Sequence, residues 1–232
     1  MKPFRFKQFE VHQDKTAMKV GTDGVLLGAW AKTNSPKNIL DIGTGTGLIA
    51  LMLAQRFSTS TIDALEINKS AALQATSNFN LSTWQKRLKV INKSLQDYTT
   101  SKKYDLIVSN PPYFDSIKKL KTAREQARQT ASLSFEELVE KTSHLLSDSG
   151  ELALVLPYES LASILHISQE NGLYCHRTCT VYGTEKSKPK RVLLQFSKTK
   201  KTLEETKLVI EISRHNYTKE YTKLTQDFYL KM

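Results

Sequence analysis

One stretch constrains the fold more than any other. It runs Asn38-Ile39-Leu40-Asp41-Ile42, then Gly43-Thr44-Gly45-Thr46-Gly47, then Leu48-Ile49-Ala50-Leu51-Met52-Leu53-Ala54. A short apolar run, a loop with glycine at every second position and a longer apolar run read as buried strand, tight loop and helix. The glycines let the backbone lie against a ligand, and the helix start offers free N–H groups. Residues Ile62-Asp63-Ala64-Leu65-Glu66 form a second strand that ends in an acid. Glu66 lies about 20 residues beyond the loop, where a carboxylate can accept both hydroxyls of a ribose. This order specifies an α/β chain with a mostly parallel sheet.

The glycine spacing narrows the ligand. A dinucleotide site wants G-x-G-x-x-G, but position 48 is Leu and the third glycine comes one residue early. A nucleoside-bearing cofactor without a diphosphate suits the loop better, and S-adenosylmethionine fits that description. Asp41, just before the loop, is placed to face its α-amino group. Asn68 to Asn80 is helical, with Ala71, Ala72, Ala75 and Phe79 near one face, and a third strand covers Arg87 to Ile91. Asp97 follows in a loop. It can take the N6 amine of an adenine ring, or it can be a solvated loop aspartate.

The next strand, Leu106-Ile107-Val108, stops at Asn110-Pro111-Pro112-Tyr113. Prolines cannot donate to a ladder, and Asn110 before a proline is biased toward extended backbone. A carboxamide, two rigid carbonyls and an aromatic ring therefore collect at the carboxyl end of a strand, where ligands sit in open α/β sheets. That set suits attack by a planar amine. The Asn110 side-chain oxygen and the Pro111 carbonyl can each accept one N–H of an exocyclic amino group, and Tyr113 can stack on the base. The competing reading is a plain turn.

The ends of the chain are less specific. Phe4 and Phe6 alternate with basic residues, as in a short half-buried strand, with a nucleic-acid-contacting arm as the alternative. Lys19-Val20-Gly21-Thr22-Asp23-Gly24 precedes an apolar run; Thr22 or Asp23 can cap a helix there, or the stretch can face a ligand. Ser134 with Glu137 makes a capping box, and Glu151 to Leu156 is a buried strand preceded by Gly150. A helix follows to Asn171-Gly172, with His166 expected to pack. Strands near Tyr174 to Tyr182 and Arg191 to Phe196 flank a lysine-rich loop. Residues 198–207 read as a solvated connection, Leu208 to Ile212 as an edge strand, and Tyr221, Leu224 and Phe228 as one face of a docking helix. Cys175 and Cys179 are four apart in a strand, so they should face one side as ordinary thiols.

The formal charge of +11 points to a polyanionic partner. Two basic clusters are candidates for phosphate contacts: Lys118, Lys119, Lys121, Arg124 and Arg128 directly after the Asn-Pro-Pro-Tyr stretch, and Lys188 with Lys190 in the later loop. No apolar run reaches the length of a membrane span or a signal peptide, so a cytoplasmic protein is expected.

The motif set, with Met18 to Trp30, Arg124-Glu-Gln-Ala-Arg128 and Tyr221 to Met232 added, resembles the bacterial tRNA(Val) adenine-N6 methyltransferases, which are Rossmann-like and use S-adenosylmethionine. The likeness spans nearly the whole chain. It implies a seven-stranded sheet with an antiparallel last strand and helices on both faces. Residues 1–34 would be an N-terminal cofactor-capping segment, 35–198 the Rossmann-like core and 199–232 a C-terminal strand and helix. Gly43, Gly45 and Gly47 would carry the methionine portion, Glu66 the ribose and Asp97 the adenine, with Lys19 and Thr22 closing over the cofactor and Asn110 counted among its contacts as well. Asn110, Pro111, Pro112 and Tyr113 would hold an adenine of the tRNA anticodon loop, 3′ of the anticodon. A monomer without metal is the accompanying expectation. Other acceptors (a protein glutamine, an rRNA or DNA base) and a non-catalytic RNA-binding protein of the same fold stay open at this point.

Overall fold

The computed structural model describes residues 2–16, 19–111 and 133–231. In chain order these form β1 (Phe4–Arg5), β2 (Glu10–Val11), α1 (Thr22–Trp30), β3 (Asn38–Ile42), α2 (Leu48–Arg56), β4 (Thr61–Leu65), α3 (Lys69–Leu81), β5 (Leu88–Ile91) and β6 (Tyr104–Ser109). There follow α4 (Phe135–Leu145), β7 (Leu146–Pro157), α5 (Leu161–Glu170), β8 (Tyr174–Thr184), β9 (Pro189–Ser197), β10 (Glu204–Ser213), β11 (Asn216–Tyr217) and α6 (Lys219–Thr225).

Among the described residues the main sheet has nine strands, in the order β11-β10-β8-β9-β7-β6-β3-β4-β5. The run from β8 to β5 is the seven-stranded arrangement that the family resemblance implies, but the sheet does not stop at seven. Within it, β9 is the antiparallel strand, inserted between β7 and β8. Two further strands extend the sheet. Residues 204–207, expected in a solvated connection, already pair with β8, and β10 runs parallel to it. The two-residue β11 pairs with β10 only at Glu211 and Ser213, so the 208–212 stretch lies at the sheet edge except at its far end.

Side chains alternate between two cores, one on each face, as strand geometry requires. Ile39, Leu106, Val108, Ala153 and Val155 pack with α1, α2 and Phe79 of α3. Leu40, Ile107, Leu152, Leu154 and Leu156 pack with Leu138 of α4 and Ile164 of α5. The cysteines depart from the expected parity. A register shift between Cys175 and Arg177 puts Cys179 in the first core and Cys175 against the second. An extra residue in a strand turns everything beyond it to the other face.

The two termini meet. Phe6 bridges to Tyr229, and its ring stacks on Phe9 at 4.6 Å and on Tyr229 at 5.7 Å. Tyr221 and Phe228 are buried beneath them. The N-terminal phenylalanines thus serve packing. Three local expectations change. Gly150 lies inside β7, where a Cβ would meet the Tyr104 carbonyl at 2.5 Å. His166 is exposed on α5 and faces Glu170 at 3.4 Å. The N-cap of α1 is Gly21, without a side-chain cap, so neither Thr22 nor Asp23 plays that part.

Candidate active site

Four parallel strands end in step. Ser109 of β6 is level with Ile42 of β3, Ile42 with Leu65 of β4, and Leu65 with Ile91 of β5. The next residues, Asn110, Gly43, Glu66 and Asn92, therefore emerge along one edge. Adjacent strands are about 4.8 Å apart, so Asn110 and Glu66 stand roughly 10 Å apart, the scale of a nucleoside. The Ser109 hydroxyl donates to the Ile42 carbonyl at 2.9 Å and ties the two central strand ends together.

The glycine loop is held from below. Gly43 N–H and Thr44 N–H both donate to the Leu65 carbonyl at 2.9 Å. Gly43, Gly45 and Gly47 all have positive φ, at 71°, 58° and 86°. Their surroundings differ. A Cβ on Gly43 or Gly45 would meet nothing within 4 Å, whereas one on Gly47 would lie 2.5 Å from the Phe79 ring. The third glycine lets α3 pack against the loop, and the first two leave an open cradle.

Two carboxylates frame that cradle. The Gly45 N–H donates to Glu66 Oε2 and the Asn68 N–H to Oε1, both at 2.8 Å. Each oxygen keeps a second lone pair for a ligand hydroxyl. Asn92, which sequence reasoning did not single out, donates from Nδ2 to the Glu66 carbonyl at 2.7 Å and fixes the turn that carries the acid. Asp41 is fully buried. Its Oδ2 accepts from the Thr44 hydroxyl at 2.6 Å, and its Oδ1 has no hydrogen-bond partner. Burial pushes its carboxyl up to about 7, against the Thr44 hydroxyl and the Ala50 backbone, which lower it, with the nearby Glu66 charge adding to the rise. An orphaned buried carboxylate oxygen beside an open glycine cradle suits a cofactor that carries an ammonium group. S-adenosylmethionine has that group and a ribose for Glu66.

Other expected residues are placed less directly. Asp97 is exposed, and its Oδ2 accepts from Ser94 Oγ at 2.6 Å, which fixes the loop after β5. Lys19 donates from Nζ to the Gln13 carbonyl at 2.5 Å and to the Thr16 carbonyl at 3.0 Å, which ties it back to those two residues. Thr22 is exposed in the first turn of α1, while Asp23 Oδ2 accepts from Arg191 Nε at 2.8 Å. Arg191 is level with Pro157, so this pair stands at the same edge as Asn110. The turn between β8 and β9 projects from that edge too; Lys188 is exposed on it and Lys190 is exposed at the start of β9. Asn110 is half-buried and Pro111 buried. Pro112, Tyr113, Lys118, Lys119, Lys121, Arg124 and Arg128 lie outside the described residues.

Among the described residues there is no cluster of three or more His, Cys, Asp or Glu side chains that could hold a metal, and no helix long and apolar enough to cross a membrane. A cleft of about 630 Å³ opens at the opposite, amino edge, lined by Lys32, Asp105, Glu151, His176 and Arg177 among others. It is remote from the cradle.

Comparison with known proteins bears on the family and the fold. The family model described as "Methyltransferase small domain" matches residues 16–166. A tRNA1(Val) (adenine(37)-N6)-methyltransferase of Bacteroides fragilis is 51% identical, over 99% of this chain and 98% of the relative. Proteins of the same name from Flavobacterium psychrophilum and Trichodesmium erythraeum are 51% and 48% identical, over 99% and 98% of this chain and 100% and 98% of theirs. Among solved structures, a protein from Agrobacterium tumefaciens described as a predicted O-methyltransferase superposes with a TM-score of 0.69 at 18% identity, covering 89% of this chain and 96% of the other. A Pyrococcus furiosus methyltransferase gives 0.55 at 22% identity, covering 76% and 81%. These two likenesses speak for the fold. Identity near one half along almost the entire length places the chain in the tRNA1(Val) (adenine(37)-N6)-methyltransferase family.

Proposed function

We propose that this chain methylates N6 of an adenine in a tRNA anticodon loop, 3′ of the anticodon and of the tRNA(Val) type, with S-adenosylmethionine as methyl donor. The observation that carries the reading is the shared strand register, which brings Asn110 to the edge that also bears the glycine cradle and Glu66. S-adenosylmethionine supplies, when bound, a methyl group on a sulfonium that needs no further activation. Asp41 pairs with the ammonium end of the ligand, and Glu66 accepts from the ribose hydroxyls. Asp97 takes the N6 amine of the cofactor's adenine ring. Residues 1–34 include the segment that closes over this site, with Lys19 and Thr22 at its inner end.

Asn110 and Pro111 act on the acceptor. Each accepts one N–H of the target amine, which fixes the nitrogen and turns its lone pair toward the donor. These bonds strengthen as positive charge grows on the nitrogen, so they favour the transition state over the ground state. The new N–C bond replaces the S–C bond, and the surplus proton leaves to solvent without an obligatory base. An adenine in a loop leaves its stack easily, because no pairing is lost. Tyr113 stacks on that base, and Pro112 belongs to the same acceptor-holding set. Lys188 and Lys190, together with Lys118, Lys119, Lys121, Arg124 and Arg128, neutralise flanking phosphates. The protein acts as a cytoplasmic monomer without metal.

The test uses labelled cofactor with total tRNA, duplex DNA and peptide release factor, each from cells lacking the gene. Label in tRNA, traced by nucleoside mass spectrometry to N6-methyladenosine, is the expected result. Label confined to DNA or protein overturns the reading. Asn110→Ala should lower transfer by at least ~100-fold, the range of losing a transition-state hydrogen bond, and leave calorimetric affinity for S-adenosylhomocysteine within a few-fold.

A further inference from the structure

Asn78 sits on α3 between the glycine loop and the N-terminal segment, and it bonds to both. Its side chain is buried, with 1% exposed. Nδ2 donates to the Thr46 carbonyl at 2.8 Å and to the His12 carbonyl at 2.9 Å, and Oδ1 accepts from the His12 N–H at 3.0 Å. One turn earlier on the same helix, Gln74 is also buried and accepts from the Lys15 N–H at 3.1 Å through Oε1. The segment then closes on itself, as Gln13 Oε1 accepts from the Val20 N–H at 2.8 Å. It runs on to Asp23, which is anchored on Arg191 at the start of β9. Its two anchors are therefore the glycine loop after β3 and the head of β9, three strands apart along the carboxyl edge.

A buried amide on a helix otherwise facing a core is expensive unless its bonding is complete. A leucine would fill the same space with less demand. What the amide adds is a single rigid group bonded to the cofactor loop on one side and to the backbone of the N-terminal segment on the other. We propose that Asn78 is a positioning residue which couples occupancy of the glycine loop to ordering of residues 12–16 and of Val20. This rests on the cofactor reading above. Holding the Thr46 carbonyl in place when the loop is filled fixes the amide, and the fixed amide fixes His12. By reciprocity, order in the segment tightens the hold on the cofactor.

Amide hydrogen exchange with and without S-adenosylhomocysteine tests the link, alongside calorimetry. In the unaltered protein, ligand should slow exchange at His12, Lys15 and Val20 by about 10-fold, within the usual range of coupling between sites. In Asn78→Leu the ligand should still bind, roughly 10-fold more weakly, and the slowing at those amides should be lost. Asn78→Asp keeps the acceptor for the His12 N–H and loses both donors, so it should behave alike and serves if the leucine variant does not fold. Gln74→Leu should abolish the effect at Lys15 and preserve it at His12. Ligand binding without slowing in the unaltered protein, or undiminished slowing at His12 in either Asn78 variant, overturns the proposal and leaves the cofactor reading intact. Absence of ligand binding in the unaltered protein overturns both.

Discussion

Replacing Asp41 by asparagine should make the ligand-free protein more stable at pH 8 and the ligand-bound protein weaker. The carboxyl is fully buried, has one unpartnered oxygen and titrates near 7 rather than at 3.8. Its folded-state pKa is raised, so the native state holds the proton more tightly than the unfolded chain does. Stability is then greatest below the unfolded value and falls as pH rises through 3.8 toward about 7. At 1.36 kcal/mol per pH unit that interval amounts to roughly 4 kcal/mol, an upper value for a site that can relax. Asp41→Asn removes the charge and keeps a bond to Thr44. Urea denaturation should therefore find the variant level with the parent near pH 4 and ahead of it by up to about 4 kcal/mol at pH 8.

The ligand reverses the order. An ammonium beside Asp41 needs the ionised form, so affinity of the parent for S-adenosylhomocysteine should rise up to tenfold per pH unit until about pH 7 and then level off. Loss of one charge-assisted bond is worth about 1.5–3 kcal/mol, or roughly 10- to 150-fold in affinity at pH 8, and the variant should lose the pH dependence as well. An apo variant less stable than the parent at pH 8, or one that binds as tightly, would refute the reasoning.

Further predictions concern packing and RNA. Gly47→Ala forces a side chain into positive φ and onto the Phe79 ring; it should lower stability by about 2–4 kcal/mol in urea, and Phe79→Leu added to it should recover part of the loss. A loss below about 1 kcal/mol would show that α3 can shift away from the loop. Lys188→Glu with Lys190→Glu should weaken tRNA binding and reduce the slope of log affinity against log salt by roughly 0.7 for each phosphate that is no longer neutralised. An unchanged slope would remove the β8–β9 turn from the RNA face.

The sheet and the cradle were legible because both follow from local pattern. Alternating glycines, apolar runs and an acid at a strand end each announce themselves within a few residues. The structure sets Asp41 and Glu66 around the loop as that pattern implies. Other features depend on what meets what. The shift between Cys175 and Arg177 leaves no mark in composition, yet it separates the two thiols by the thickness of the sheet. The pairing of residues 204–207 is hidden by their charge, since outer strands tolerate polar side chains on both faces. The α1 start misled because a polar residue near a helix end suggests a cap, whereas Asp23 is taken by Arg191, far away in sequence. Asn78 and Asn92 look like ordinary helix and loop residues until the carbonyls they serve are seen.

The level ends of β3, β4 and β6 have an evolutionary consequence. In the proposed mechanism donor and acceptor are handled at the ends of neighbouring strands, and the Ser109–Ile42 bond ties those two strand ends together. If that mechanism holds, changes on the acceptor side would retune which nucleophile is presented while the glycine cradle and Glu66 keep their hold on the methyl source. On that reading, a new specificity within such a scaffold would call for revision of only one rim of the molecule.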